Sequence, residues 1–422
     1  MRPRQSLFLS MSAVSARALV HNPFTKEICP WTSLLSPFTP YSYAPSDEFR
    51  LLDQNKNTEW ATAQPTQIPI RDHDLHDDVW IRTHHCVDEY CVYSNAGLFG
   101  QGMAVVTNPQ SQRLIEQSQN STVHIGLGEP KFRVAQIPGK GNGLIANDTI
   151  RRGEPIIASK PALLVHQGVF GDLELEDIYQ LLESAVDNLP TARKASYLAQ
   201  AGKMGGHRIV DILFTNSYQM NVGEHHHEAF HHYGNFPAAS LFNHDCRPNL
   251  AFYIDDNLTY HTHAIRDIKP GEELTVSYLD PFEPRSARQE RTRHSLGFSC
   301  SCSQCSASQK EIDASDARLR SIKRIEAELG DFNSKLASPA LIEKLVALYE
   351  KERLEFKISG AYTLAALNYN LFGQAEPAQK YAKLAVEAGR LENGPDALDV
   401  REMQDLCDDP KTHWTWDLRR YG

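Results

Sequence analysis

Asn243-His244-Asp245-Cys246-Arg247-Pro248-Asn249 decides the reading of this chain. Five hydrogen-bonding side chains, one thiol and one proline in succession make a compact polar turn. Gly271-Glu272-Glu273-Leu274-Thr275-Val276-Ser277-Tyr278 follows within a β-patterned stretch, residues 237–280, and Cys300-Ser301-Cys302-Ser303-Gln304-Cys305 comes after it. Three thiolates this close repel one another unless a cation neutralises them, and zinc takes four sulfur or nitrogen ligands in a tetrahedron. The fourth ligand has to come from elsewhere, and Cys246 in its polar turn is the best candidate. The competing reading is a group of buried free thiols.

The 422 residues allow two or three domains. Apolar residues make up 41% and aromatics 9%, which excludes a mostly disordered chain. Forty-three Lys and Arg against 53 Asp and Glu leave a net charge of −10, so no direct nucleic-acid binding through bulk charge is expected. No run of about eighteen apolar residues occurs, and no membrane span is expected. Eight cysteines are too few for a disulfide-dense secreted scaffold. A zinc site among them favours a reducing compartment, the cytoplasm or nucleus. Residues 1–26 lack acids and interleave Arg2, Arg4, Arg17 and Lys26 with serines. That composition fits a disordered tail, a mitochondrial transit peptide or, through Leu7 to Ala16, a weak secretory segment. Asn120-Ser121-Thr122, Asn147-Asp148-Thr149 and Asn257-Leu258-Thr259 are glycosylation triplets that matter only in a secreted chain.

Residues 1–75 thus form a targeting-like or disordered tail, its part from Pro30 onward reading as a linker or wrapping arm, and 76–130 a small region of β-strands and loops. Phe99-Gly100-Gln101-Gly102 repeats the look of Lys140-Gly141-Asn142-Gly143, and both read as tight turns. The pattern is β from Lys131 to Val165 and helical over 171–233, where Leu173, Leu175, Ile178, Leu181 and Leu182 stand at helical spacing. Asp255-Asp256-Asn257 is a hairpin turn between Leu250–Ile254 and Leu258–Tyr260. Residues 307–422 are helical. Ala361 to Leu391 forms an antiparallel pair, closed by Gly373 and reopened by Pro377, with the small-residue and aromatic spacing of a tetratricopeptide unit. One pair cannot bury its own face, so it is expected to pack on the β region. The fold class is α+β.

The linked order of these motifs resembles a SET-domain protein-lysine methyltransferase. Lys140-Gly141-Asn142-Gly143-Leu144, followed by Ile150-Arg151-Arg152-Gly153-Glu154, matches the start of that domain, and the likeness covers roughly residues 131–306. The chain most resembles the SET-and-MYND subgroup, but no MYND finger interrupts residues 166–215; fungal chains of this truncated type are similar. The resemblance implies a β-rich, knotted, β-clip-like SET core over 131–281 with a helical insert at about 170–235. A post-SET zinc segment over 282–306 and a helical C-terminal domain over 307–422 would follow. It also implies S-adenosylmethionine-dependent methyl transfer to a lysine of a histone or non-histone protein, by a chain expected to be monomeric.

Such a displacement is in line and needs a neutral amine held close to the methyl group. An apolar, aromatic channel lowers a lysine pKa and favours that form. By resemblance, Tyr278 stands at the inner end of the channel and Tyr218 lines it. Lys140, Asn142 and Gly143 would meet the amino-acid end of S-adenosylmethionine, and Asn243 and His244 its adenine, aided by Asn216 and Ser240. Phe298 would stack on the adenine, and Cys246, Cys300, Cys302 and Cys305 would hold Zn2+. A degenerate SET-fold adaptor acting through its helical C-terminus is the alternative function. His227-Glu228-Ala229-Phe230-His231 offers a third reading, a metallohydrolase, against a solvated His-rich segment spanning His225 to His232. Arg285, Arg288, Arg291 and Arg293 read as one solvated helix face, and Cys86 and Cys91 as ordinary unpaired cysteines rather than a metal or disulfide site.

Overall fold

The order of the strands explains why distant motifs meet. In this computed structural model, residues 79–118, 130–203, 205–223 and 231–419 are described, all within a compact unit that spans residues 38–422. The tail reading for residues 1–75, the Asn120 triplet and the residues from His225 to Glu228 lie outside the described residues.

Three sheets form the β region. The largest has the order β1 (Ile81–Val87), β2 (Tyr90–Asn95), β3 (Met103–Thr107), β7 (Leu163–His166), β9 (His231–Asn235) and β8 (Ser217–Asn221). Its alternating side chains serve two cores. Tyr93, Met103, Val105 and Leu164 face one; Val92, Ala104, Val106, Leu163 and Val165 face the other. On that second face lie helices α3 (Leu175–Asp187), α4 (Thr191–Leu198) and α5 (Arg208–Asn216), which follow the short α2 (Val169–Asp172) and bury Ile178, Leu181, Leu182 and Leu213. The helical reading of 171–233 therefore ends too late. Residues 217–221 and 231–235 are paired strands, because Tyr218, Met220, Tyr233 and their neighbours alternate between faces instead of forming a helical stripe. Helix α1 (Pro109–Gln117), capped by Asn108 with proline at its first position, is an element the β-and-loop reading of 76–130 lacked.

A second sheet runs β10 (Asn243–His244), β13 (Glu273–Val276), β5 (Gly141–Ala146), β4 (Phe132–Ile137). A third runs β11 (Leu250–Ile254), β12 (Tyr260–Ala264), β6 (Pro155–Ser159). The 255–257 turn joins β11 to β12, with Leu258 in the left-handed region at φ 61°.

Helix α6 (Arg285–His294) leads into the cysteine segment. Five longer elements follow: α7 (Gln309–Gly330), α8 (Pro339–Glu352), α9 (Ile358–Leu371), α10 (Ala375–Glu392) and α11 (Leu398–Asp408). Ser308 and Glu311 form a reciprocal cap on α7, and Ser338 caps α8 ahead of Pro339. Helices α9 and α10 are the expected antiparallel pair, with Tyr369 and Tyr381 stacked and both hydroxyls donating to Glu343. They pack on the β region, where Gly394, just beyond α10, leaves room for Tyr253 of β11. A Cβ on that glycine would lie 2.8 Å from the ring. No helix among the described residues is long and apolar enough to cross a membrane.

Candidate active site and cysteine centre

One sheet assembles three motifs. β10 pairs in parallel with β13, setting Asn243 against Thr275 and His244 against Val276. β5 pairs antiparallel with the other edge of β13, setting Ile145 against Glu273 and Leu144 against Leu274. The glycine turn, the Asn-His pair and the strand leading to Tyr278 thereby share one surface.

The polar turn after β10 is held by its own side chains. Asp245 Oδ1 accepts from Arg247 N at 2.8 Å, a local turn of the kind this residue favours. Asn249 Nδ2 donates to the Glu273 carbonyl, and its Oδ1 accepts from Thr275 N, both at 2.9 Å, so the side chain continues the sheet where the backbone has left it.

Glu273 links Lys140 to Asn243. Its Oε2 pairs with Lys140 Nζ at 2.6 Å, and its Oε1 accepts from Asn243 Nδ2 at 2.9 Å. Asn243 Nδ2 also reaches the Asn142 carbonyl at 3.1 Å, while Asn142 Oδ1 accepts from Gln136. A Cβ on Gly143 would lie 2.6 Å from both Asn243 Nδ2 and Ile137 Cγ1. The glycine is required there so that Asn243 can close on the turn. Lys140, Asn142, Gly143 and Asn243 therefore form one group.

His244, Tyr278 and Phe298 form a second group, with ring centroids 5.3 Å apart for His244–Tyr278 and 6.1 Å for His244–Phe298. The Tyr278 backbone N–H donates to His244 Nδ1 at 3.0 Å, so the ring proton belongs on Nε2, which points at Cys246 Sγ 3.3 Å away. Burial holds His244 well below the ordinary histidine value, at about 4, and keeps the ring neutral. The Tyr278 hydroxyl donates to the Phe242 carbonyl. Its phenol is pushed far up, first by burial and then by the neighbouring Tyr218 phenol and the Glu273 carboxylate. Tyr218 is buried among Tyr260, Phe252 and Phe236, at centroid distances of 5.0, 5.3 and 5.9 Å, and burial pushes its phenol up to about 12. Both hydroxyls stay protonated at neutral pH.

Asn216 and Ser240 are occupied within their own segments. Asn216 Nδ2 donates to the carbonyls of Ala201 and Ile212, and Ser240 Oγ to that of Pro237. No described side-chain bond joins either to the two groups above.

The four cysteines converge. Cys246, Cys300, Cys302 and Cys305 are buried, with all four sulfurs within 4.8 Å of one another. Cys246 Sγ lies 4.0 Å from that of Cys300 and 3.6 Å from that of Cys305. Zinc–sulfur bonds of about 2.3 Å in a tetrahedron place sulfurs roughly 3.8 Å apart, so the donor set fits that ion in both spacing and type.

Three of the remaining sequence readings change. Arg288 is buried against the cysteines rather than solvated. Cys86 and Cys91, opposed across β1 and β2, form a disulfide. His231 opens strand β9, and His232 is fully buried with Nε2 2.8 Å from Thr107 Oγ1. His231, the second histidine of the His227–His231 pattern, is thus on a strand, where residues four apart stand about 13 Å apart, and not on the helix that the motif needs to bring two ligands to one ion. Glu273, Arg247 and Arg288 were not singled out as site residues from sequence. Glu273 and Arg247 stood inside quoted motifs; Arg288 gave no signal distinct from surface charge.

Residues 141–279 match the SET domain family. The chain carries a SET domain. Histone-lysine N-methyltransferase set5 of Schizosaccharomyces pombe is 26% identical over 67% of this chain and 85% of its own length. N-lysine methyltransferase SMYD2-B of Danio rerio is 34% identical over 23% of this chain and 22% of its own. The human N-lysine methyltransferase SMYD2 is 38% identical over 18% and 17%. The chain thus matches most of the yeast relative but only about a fifth of each vertebrate one. The SET domain, its flanking sheets and the C-terminal helices make an α+β architecture.

Proposed function

We propose that the chain transfers a methyl group from S-adenosylmethionine to the side chain of a lysine in a protein substrate. The observation that carries this reading is the β5–β13–β10 strip, which sets Lys140, Asn142, Gly143, Asn243, His244 and Tyr278 around one surface. The donor set suits the cofactor. Lys140 and Glu273 offer a cation and an anion side by side for a zwitterionic amino-acid end, Asn142 and Asn243 offer amides, and Phe298 offers a half-buried ring. When bound, S-adenosylmethionine supplies an electrophilic methyl group.

The chain's own residues orient the acceptor. An amine brought against Tyr218, Phe252 and Tyr260 loses water, which favours its neutral, nucleophilic form. Tyr278, anchored by its backbone on His244 and by its hydroxyl on the Phe242 carbonyl, is held rigidly beside that wall with an oxygen lone pair free to accept. Cys246, Cys300, Cys302 and Cys305 would hold Zn2+, which would offset half of the thiolates' charge and tie the Cys246 turn to the segment bearing Phe298.

Labelled S-adenosylmethionine, the purified chain and a cell extract form the test. Transfer to lysine is expected, reduced about 100-fold or more in Tyr278→Phe, and lost after zinc chelation. Absence of S-adenosylmethionine binding by calorimetry overturns the reading.

A further inference from the structure

Arg288, at 2% exposure, is the largest fully buried side chain among the described residues. It stands on α6 with Gln289 and Thr292, also buried, while Arg285, Arg291 and Arg293 on the same helix retain solvent contact. This polar face is turned onto the cysteine segment. Gln289 Nε2 donates to the Cys300 carbonyl at 2.6 Å, and the Thr292 carbonyl accepts from Phe298 N at 3.0 Å. The Arg288 guanidinium donates through Nη1 to the Glu283 carbonyl, and the Cys246 and Cys305 side chains act on it electrostatically, favouring its charged form. Its Nε has no hydrogen-bond partner.

Among the described residues no carboxylate pairs with this guanidinium. The nearby acid Glu352 is engaged by Arg247 and Arg318, and Arg247 itself adds a repelling positive charge. A buried cation without a counter-ion costs several kcal/mol, and folded proteins rarely carry one. The anions within reach are the sulfurs. Four thiolates around one divalent cation carry a net charge of −2, which a single guanidinium halves. Four neutral thiols would leave Arg288 uncompensated.

We propose that Arg288 is the built-in counter-charge of the cysteine centre, and that through Cys246 and Cys305 it sets how tightly the metal is held. The inference rests on reading the four cysteines as a zinc site. It makes Arg288 a positioning residue of that site, and it explains why a guanidinium replaces the apolar side chain expected at a buried helix position.

The test measures zinc per full-length chain and the rate at which a colorimetric chelator removes it, at equal helical circular dichroism. Cobalt substitution supplies a second readout, the thiolate-to-metal absorption band. Arg288→Met, similar in length but neutral, is expected to release zinc about 10- to 100-fold faster and to shift the cobalt band. Arg288→Lys, which keeps the charge, is expected to recover most of the retention. A folded Arg288→Met chain with wild-type release and spectrum overturns the proposal. If Arg288→Met does not fold, Arg288→Lys decides: release near the wild-type rate supports the proposal, and release as fast as from Cys246→Ser overturns it. A wild-type chain that holds no zinc under reducing conditions overturns the zinc reading itself, before any variant is compared.

Discussion

Replacing Glu352 by alanine isolates a charge inside the protein. Glu352 ends α8, is completely buried, and reaches across to the turn that carries Cys246. Arg247 Nη2 donates to its Oε2 at 2.9 Å, Ser315 Oγ at 2.7 Å and Gln304 Nε2 at 3.2 Å, while Arg318 donates to Oε1. Burial raises the carboxyl, but the hydrogen bonds from Ser315, Arg247 and Arg318 outweigh it and hold the group below the ordinary glutamate value. In Glu352→Ala, Arg318 and Gln304 can turn to water, since they are only partly buried. Arg247, with a side-chain exposure of 1%, cannot. Its bonds to the carbonyls of Cys246 and Glu352 persist but bring no charge. The cost is therefore that of one stranded buried cation, about 3–5 kcal/mol. Glu352→Gln keeps shape and one acceptor and should cost about 1–3 kcal/mol. The double change Arg247→Met with Glu352→Leu removes both charges and should return close to wild type. Urea unfolding of the zinc-loaded chain, followed by tryptophan fluorescence and circular dichroism, gives all three values. A loss below about 1 kcal/mol in Glu352→Ala would falsify the account, as would a double variant no more stable than the single one.

Gly143→Ala drives a methyl group into Asn243 Nδ2 and Ile137 Cγ1. It should cost about 1–3 kcal/mol and weaken S-adenosylmethionine binding by roughly tenfold or more in calorimetry; unchanged affinity refutes the packing argument. Glu392, buried at the end of α10, accepts from the backbone and hydroxyl of Ser359, and burial pushes its carboxyl up to about 7. A raised carboxyl favours the folded state fully below its ordinary value and loses that contribution as pH rises through about 7. Glu392→Gln should therefore gain about 3 kcal/mol relative to wild type between pH 4 and pH 8, and a pH-independent difference between the two chains would show that the burial is not felt.

The sequence was most legible where local chemistry is dense. The Asn243–Asn249 turn, the glycine turn at Gly141 and the crowded thiols each carry a constraint that few conformations satisfy, and the structure brings them together through β5, β13 and β10. The hairpin at 255–257 and the α9–α10 pair were readable for the same reason, through turn residues and a helical stripe. What escaped was decided by distant partners. Strands β8 and β9 look helical in isolation because their apolar residues follow a helical run, and only the pairing of β9 with β7 and of β8 with β9 makes them strands. Arg288 looks like surface charge until the cysteines that receive it are brought in from 17 and 42 positions away, and Arg247 like one more polar residue of its turn until Glu352 arrives from 105 positions away. His232 lost its place in a solvated cluster once Thr107, 125 residues earlier, was found beside it.

Strand β7 lies in the middle of a sheet whose first three strands precede the SET domain match. β3 pairs with it in parallel, Ala104 against Leu163 and Val106 against Val165, and Val105 and Leu164 bury into the core they share. A shortened chain beginning near residue 131 would lack that neighbour. It would present a naked row of peptide groups beside fully apolar side chains, the arrangement that recruits a second molecule edge to edge. A piece of this protein that keeps that sheet intact therefore reaches back to about the start of β1. Substitutions in β1–β3 would accordingly surface as precipitation of the whole protein, even though they lie outside the residues that match the SET domain.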